Sequence, residues 1–131
     1  MSFGAALGPL LTSLGSAVLV TIATEVVVAG LLGFHQLREL GIVALANLAT
    51  NPAVNLLVGL TMAVSGTSSL LHPAVLATAI VLEVAAVVAE WRIYRYTLPD
   101  HRHRALAVAV TANAASLIVG VLMFGTGAPA V

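Results

Sequence analysis

The sequence predicts an all-α fold: an integral membrane four-helix bundle made of two parallel-related helical hairpins, forming a single transmembrane domain over residues 1–131. Three observations predict it. Hydrophobic residues make up 60% of the chain and charged residues only 8%. A soluble domain carries roughly 25% charged residues, so there are too few here to coat a surface facing water. The apolar residues also gather into four runs close to the ~20 needed to cross a hydrocarbon core. Finally, the basic residues collect in two of the three short connectors between those runs.

The first span covers residues 9–34. The preceding MSFGAALG has no basic segment of the kind that opens a secretory signal, so this run is expected to stay as a membrane helix. The second span, 41–65, follows the connector HQLREL and contains Pro52. That proline should kink the helix or leave a carbonyl for another group to satisfy. The third, 73–93, follows GTSSLLH and begins at Pro73, where a missing N–H costs nothing. The fourth, 105–124, follows YRYTLPDHRHR, and the closing GTGAPAV reads as a flexible tail.

All five arginines (Arg38, Arg92, Arg95, Arg102 and Arg104) lie in or beside the first and third connectors, and there is no lysine. The positive-inside rule then places the loops near 35–40 and 94–104 in the cytoplasm and both termini outside, in a multi-pass cell-membrane protein. Trp91, Tyr94 and Tyr96 fit the same level, because amphipathic rings favour headgroups. The balanced charge argues against nucleic acid as a partner, which would need a concentrated basic face. The expected partners are the lipid bilayer and either further copies of the chain or a larger membrane complex. Cysteine is absent, which excludes thiol catalysis and thiolate ligation. No cofactor, metal-binding or catalytic motif is present in the sequence, and no enzyme activity is expected.

An internal repeat follows from the even-numbered spans. Arg38–Thr50 reads RELGIVALANLAT and Arg104–Ser116 reads RALAVAVTANAAS, both fitting R-x-L-x5-A-N-x-A-[ST]. The preceding helices echo each other as Glu25-Val26 and Glu83-Val84, with the following loop eight residues longer in the second half. Such halves would run parallel, related by a pseudo-two-fold axis along the membrane normal.

The polar residues inside the spans carry the candidate chemistry. At 100° per residue, Asn47, Thr50, Asn51, Asn55, Thr61 and Ser65 fall within about 140° on the second helix, and His72, Glu83 and Glu90 share a face of the third. Asn47 and Asn113 each lie nine residues past an arginine, Glu83 nine before Arg92, and Glu25 ten before His35. At 1.5 Å per residue all four stand roughly 13–15 Å from the cytoplasmic boundary, near the middle of a core about 30 Å thick. Glu25, Asn47, Glu83 and Asn113 are therefore the expected intramembrane polar layer, with Thr50, Asn51, Asn55 and Ser116 as a secondary polar face.

Two readings of this layer compete. Either neutral Glu and Asn side chains clamp helices together at about 1 kcal/mol per bond, or Glu25 and Glu83 bind and release a proton or cation. Asn51 and Asn55 either satisfy backbone freed by Pro52 or line a substrate path. Glu90, close to Arg92 and Arg95, reads as part of an interfacial ion-pair cluster, and the HRHR segment as a solvated loop.

The stretches TEVVVAG with ANLATNPAVN, and LEVAAVV with ANAASLIVG, resemble small bacterial polytopic membrane proteins with Glu/Val and Ala-Asn-x-Ala-[Ser/Thr] repeats. The resemblance spans both hairpins. It implies membrane helices and carries no activity. The function classes left are a small oligomeric transporter or channel and a structural or assembly subunit of a larger membrane complex.

Overall fold

The computed structural model describes the backbone of residues 3–124, with side chains for residue 12 and for residues 15–123. Within that range the chain forms four α-helices: α1 (Phe3–Leu31), α2 (Leu37–Ser65), α3 (Pro73–Thr97) and α4 (Ala105–Phe124), with one short 3₁₀ turn, Pro99–His101, ahead of α4. The expected flexible tail at 125–131 lies outside the described residues.

The helix ends follow from local chemistry. Glycines close α1 and α2 in the same way. Gly33, at φ 108°, and Gly66, at φ 63°, adopt the left-handed backbone that side-chain-bearing residues avoid. After α1, Phe34 N–H reaches Ala29 O at 3.0 Å and Gly33 N–H reaches Gly30 O at 3.2 Å. After α2, Thr67 N–H reaches Met62 O at 3.1 Å and Gly66 N–H reaches Ala63 O at 3.3 Å. This paired closure satisfies carbonyls that the helix end would otherwise orphan. α1 therefore stops at Leu31, short of residue 34. α2 starts earlier than expected because the Glu39 carboxylate accepts the Gln36 N–H at 3.0 Å, one half of a capping box. α3 runs past residue 93 to Thr97 because nothing in WRIYRYT breaks a helix. Leu98 leaves helical geometry (φ −122°, ψ 71°) immediately before Pro99, as residues preceding proline tend to do.

α2 and α4 each pack against both α1 and α3, so the four helices form a ring in chain order. At the end carrying the α1–α2 and α3–α4 connections, Phe34 and Tyr94 are fully buried and meet edge to face at 6.0 Å. Around them sit Ala29, Val43, Ala46, Ala105, Val108 and Ala109, whose small side chains let backbones approach closely. His101 leans on Phe34 at 5.0 Å and pairs with Glu39 at 2.8 Å, fastening the two connections to each other.

The polarity of the bundle is inverted relative to a water-soluble protein. Leu45, Leu48, Leu56, Leu60, Val81, Val84 and Ile118 are exposed, while Glu25, Asn47, Asn51, Glu90 and Asn113 are buried. Among the described residues, three helices are long and apolar enough to cross a membrane: Leu37–Ser65, Pro73–Thr97 and Ala105–Met123. In α1 the segment searched, Gly15–Leu31, is apolar but shorter.

Candidate functional site

The buried polar residues converge on two carboxyl groups, one from α1 and one from α3. Glu25 has 0% of its surface exposed. Its Oε2 accepts the Asn47 side-chain amide from α2 at 2.6 Å, and its Oε1 accepts the Ser116 hydroxyl from α4 at 3.1 Å. Glu90, equally buried, is met in the same manner. Its Oε2 accepts the Asn113 amide from α4 at 2.5 Å, and its Oε1 accepts the Thr50 hydroxyl from α2 at 2.9 Å. Each acid therefore bridges the two helices flanking it, by an amide on one side and a hydroxyl on the other.

Helical periodicity produces this arrangement. Asn47 and Thr50 lie three residues apart on α2, as do Asn113 and Ser116 on α4, which puts each pair on one helix face. Both asparagines are held the same way by their own helix. Asn47 donates its second amide hydrogen to Val43 O at 3.1 Å, and Asn113 donates to Ala109 O at 2.9 Å. A carbonyl on one side and a carboxylate on the other fix the –NH₂ end of each amide, since the reverse placement would set oxygen against oxygen. The hydroxyls also face their own backbone. Thr50 lies 3.1 Å from Ala46 O, and Ser116 lies 2.9 Å from Asn113 O.

Of the expected layer, the structure brings together Glu25, Asn47 and Asn113, along with Thr50 and Ser116 from the secondary face. Glu83 is not among them. It sits seven residues ahead of Glu90, about 10 Å along α3, is half-buried, and makes no hydrogen bond among the described residues. Its place is taken by Glu90, which had been expected in an interfacial ion-pair cluster with Arg92 and Arg95. On a helix those arginines point about 140–160° away from Glu90, and Arg95 instead lies over the Trp91 ring at 5.5 Å. The Glu-to-Asn separations carried the signal. They are 22 residues for Glu25–Asn47 and 23 for Glu90–Asn113, against thirty from Glu83 to Asn113.

Asn51 is buried, and its amide donates to the Asn47 side-chain oxygen, so it braces Asn47 rather than capping a carbonyl freed by Pro52. The Asn55 amide nitrogen is buried without a partner. The Tyr94 hydroxyl, one turn beyond Glu90, is likewise buried; it is directed toward the Glu90 carboxyl but does not reach full hydrogen-bond geometry. In the loop, His101 pairs with Glu39, while His103 is exposed.

No protein-family model, no curated protein and no solved structure matches this chain.

Proposed function

We propose that the chain is an integral membrane protein of two parallel-related hairpins that acts as a small, oligomeric transporter or channel for protons or cations, with Glu25 and Glu90 as its working pair. The observation that carries this reading is the pair of fully buried acids, each bonded on both oxygens to α2 and α4. A carboxyl at such depth costs a few kcal/mol when ionised. A packing clamp would be served as well by glutamine, which keeps an acceptor for the asparagine and a donor for the hydroxyl while avoiding that cost. Acids in this place point to use of the charge.

The crossed bonding supports the repeat. Under the pseudo-two-fold relation, α1 with α2 corresponds to α3 with α4. Each Glu then takes its amide from its own half and its hydroxyl from the other. The register differs from the sequence expectation: Glu25 corresponds to Glu90, and the second half is longer by one residue rather than eight. The fastening of the α1–α2 and α3–α4 connections at one end agrees with both basic loops lying on the cytoplasmic side.

The test is reconstitution in sealed lipid vesicles with an internal pH dye or a cation indicator. Glu25→Gln and Glu90→Gln should each abolish flux while leaving the helical content intact, and Glu83→Gln should retain most of it. Unchanged flux in both of the first two variants eliminates the reading. The competing assignment, a structural subunit using the layer as a clamp, draws on the completeness of the same hydrogen bonds. It predicts loss of stability or of partner association in a protein that conducts nothing.

A further inference from the structure

We infer that the species taken up by the layer is the proton, one per glutamate. It binds at the carboxyl oxygen facing a hydroxyl, so that Ser116 and Thr50 act as reversible hydrogen-bond partners that keep the site satisfied in both charge states. This rests on reading the layer as a functional site.

The argument is one of hydrogen-bond capacity. On the asparagine side the roles are fixed. Both amide hydrogens of Asn47 and of Asn113 are already directed at a carbonyl and at Glu Oε2, so Oε2 of each acid is an acceptor whatever its charge. On the hydroxyl side the roles are open. Each hydroxyl has one hydrogen but more than one acceptor within reach. For Ser116 these are Glu25 Oε1 at 3.1 Å and Asn113 O at 2.9 Å. For Thr50 they are Glu90 Oε1 at 2.9 Å, Ala46 O at 3.1 Å and, more distantly, Asn47 O at 3.5 Å. With the carboxylate ionised, the hydroxyl hydrogen points to Oε1. When a proton arrives and forms an O–H bond at Oε1, the hydroxyl turns its hydrogen to its own backbone carbonyl, a common bond for helical Ser and Thr. Its lone pair then accepts the new carboxyl hydrogen. Release reverses both moves, no group is left unpaired in either state, and the net change is one proton and one unit of charge per glutamate.

The surroundings favour the proton over a metal cation. The titratable groups facing Glu25 are Glu90, Glu83 and Tyr94, all from α3, while α2 and α4 present only Asn47 and Ser116 to it. Glu90 is faced by Glu25, by Glu83 and Tyr94 of its own helix, and by Thr50 and Asn113 from α2 and α4. No arginine is among these groups. A hard metal ion needs six or more oxygen ligands, whereas each oxygen of Glu25 and Glu90 already faces an amide or a hydroxyl. No group of three or more metal-ligating His, Asp or Glu side chains occurs among the described residues.

Infrared difference spectra of the full chain in phosphatidylcholine vesicles, stepped through pH in sodium-free and sodium-containing buffer, read this directly. Two protonated-carboxyl C=O bands should grow as pH falls, one lost in Glu25→Gln and the other in Glu90→Gln. Ser116→Ala should move only the Glu25 band to higher frequency and Thr50→Val only the Glu90 band, each reversed by the hydroxyl-bearing Ser116→Thr or Thr50→Ser. These hydroxyl variants keep the test valid where a Gln variant fails to fold. The inference is overturned if no such band titrates, if the bands follow sodium instead of pH, or if Ser116→Ala and Thr50→Val leave both bands in place. Titrating bands without flux would end the transport reading and leave the proton sites standing. Flux without titrating bands would do the reverse.

Discussion

The Glu25 and Glu90 cradles are built to the same plan and differ, on the amide side, in one brace. Both acids receive an amide and a hydroxyl, and both amides are tied back to a carbonyl four residues earlier. On α2, however, Asn51 stands one turn beyond Asn47 and donates to its side-chain oxygen. The corresponding residue on α4, one turn beyond Asn113, is Leu117. The Glu25 cradle is thus a chain of three side chains on its amide side, and the Glu90 cradle is a chain of two. The shared parts are what holding a buried carboxyl requires. The extra asparagine adds rigidity to one member of the pair.

The largest effect should come from removing either amide. Asn47→Leu leaves Glu25 Oε2 without its donor and also strands the Asn51 amide. It should cost about 2 kcal/mol, against about 1 kcal/mol for Asn113→Leu, on the scale of a buried group left unpaired and of hydrogen bonds within membranes. Unfolding of the two variants in the same mild detergent measures the difference. If Asn113→Leu proves the more damaging, the brace contributes nothing.

The hydroxyls come next and should be nearly equal. Ser116→Ala and Thr50→Val each remove one bond to a carboxyl, for about 1 kcal/mol or less. Each Glu keeps its asparagine, and each hydroxyl already shares its hydrogen with backbone. Costs differing by more than twofold in the same unfolding assay would break the equivalence of the two halves at this position.

The plan was partly legible in the sequence. Composition and the run lengths carried the four helices, and the R-x-L-x5-A-N-x-A-[ST] pattern placed Asn47 with Asn113 and Thr50 with Ser116, because those residues sit on regular helix where spacing translates directly into position. Glu90 was obscured by its neighbours. Trp91 and Arg92 beside it read as a membrane boundary, and depth counted from Arg92 selected Glu83. α3 in fact continues to Thr97, so Glu90 lies seven residues before its helix end, as Glu25 lies six before Leu31. Arginine and tryptophan have side chains long enough to reach an interface from well inside a helix, which makes the first arginine a poor marker of depth. Which oxygen faces which donor could not be read at all, since that depends on how neighbouring helices are rotated against each other.

The smallest effect is the most discriminating. Asn51→Leu gives α2 the residue that α4 already carries, and by itself should cost about 0.5 kcal/mol, within the range of single hydrogen bonds between membrane helices. Its value lies in the double variant. If the brace is what separates the cradles, then in the Asn51→Leu background Asn47→Leu no longer strands a second amide, and its cost should fall to that of Asn113→Leu. The coupling between positions 47 and 51 should accordingly be about 1 kcal/mol, while that between 51 and 113, which share no bond, should be near zero. Equal coupling to both asparagines would mean that Asn51 acts on the whole layer, through helix packing, and the two cradles would have to be treated as one unit.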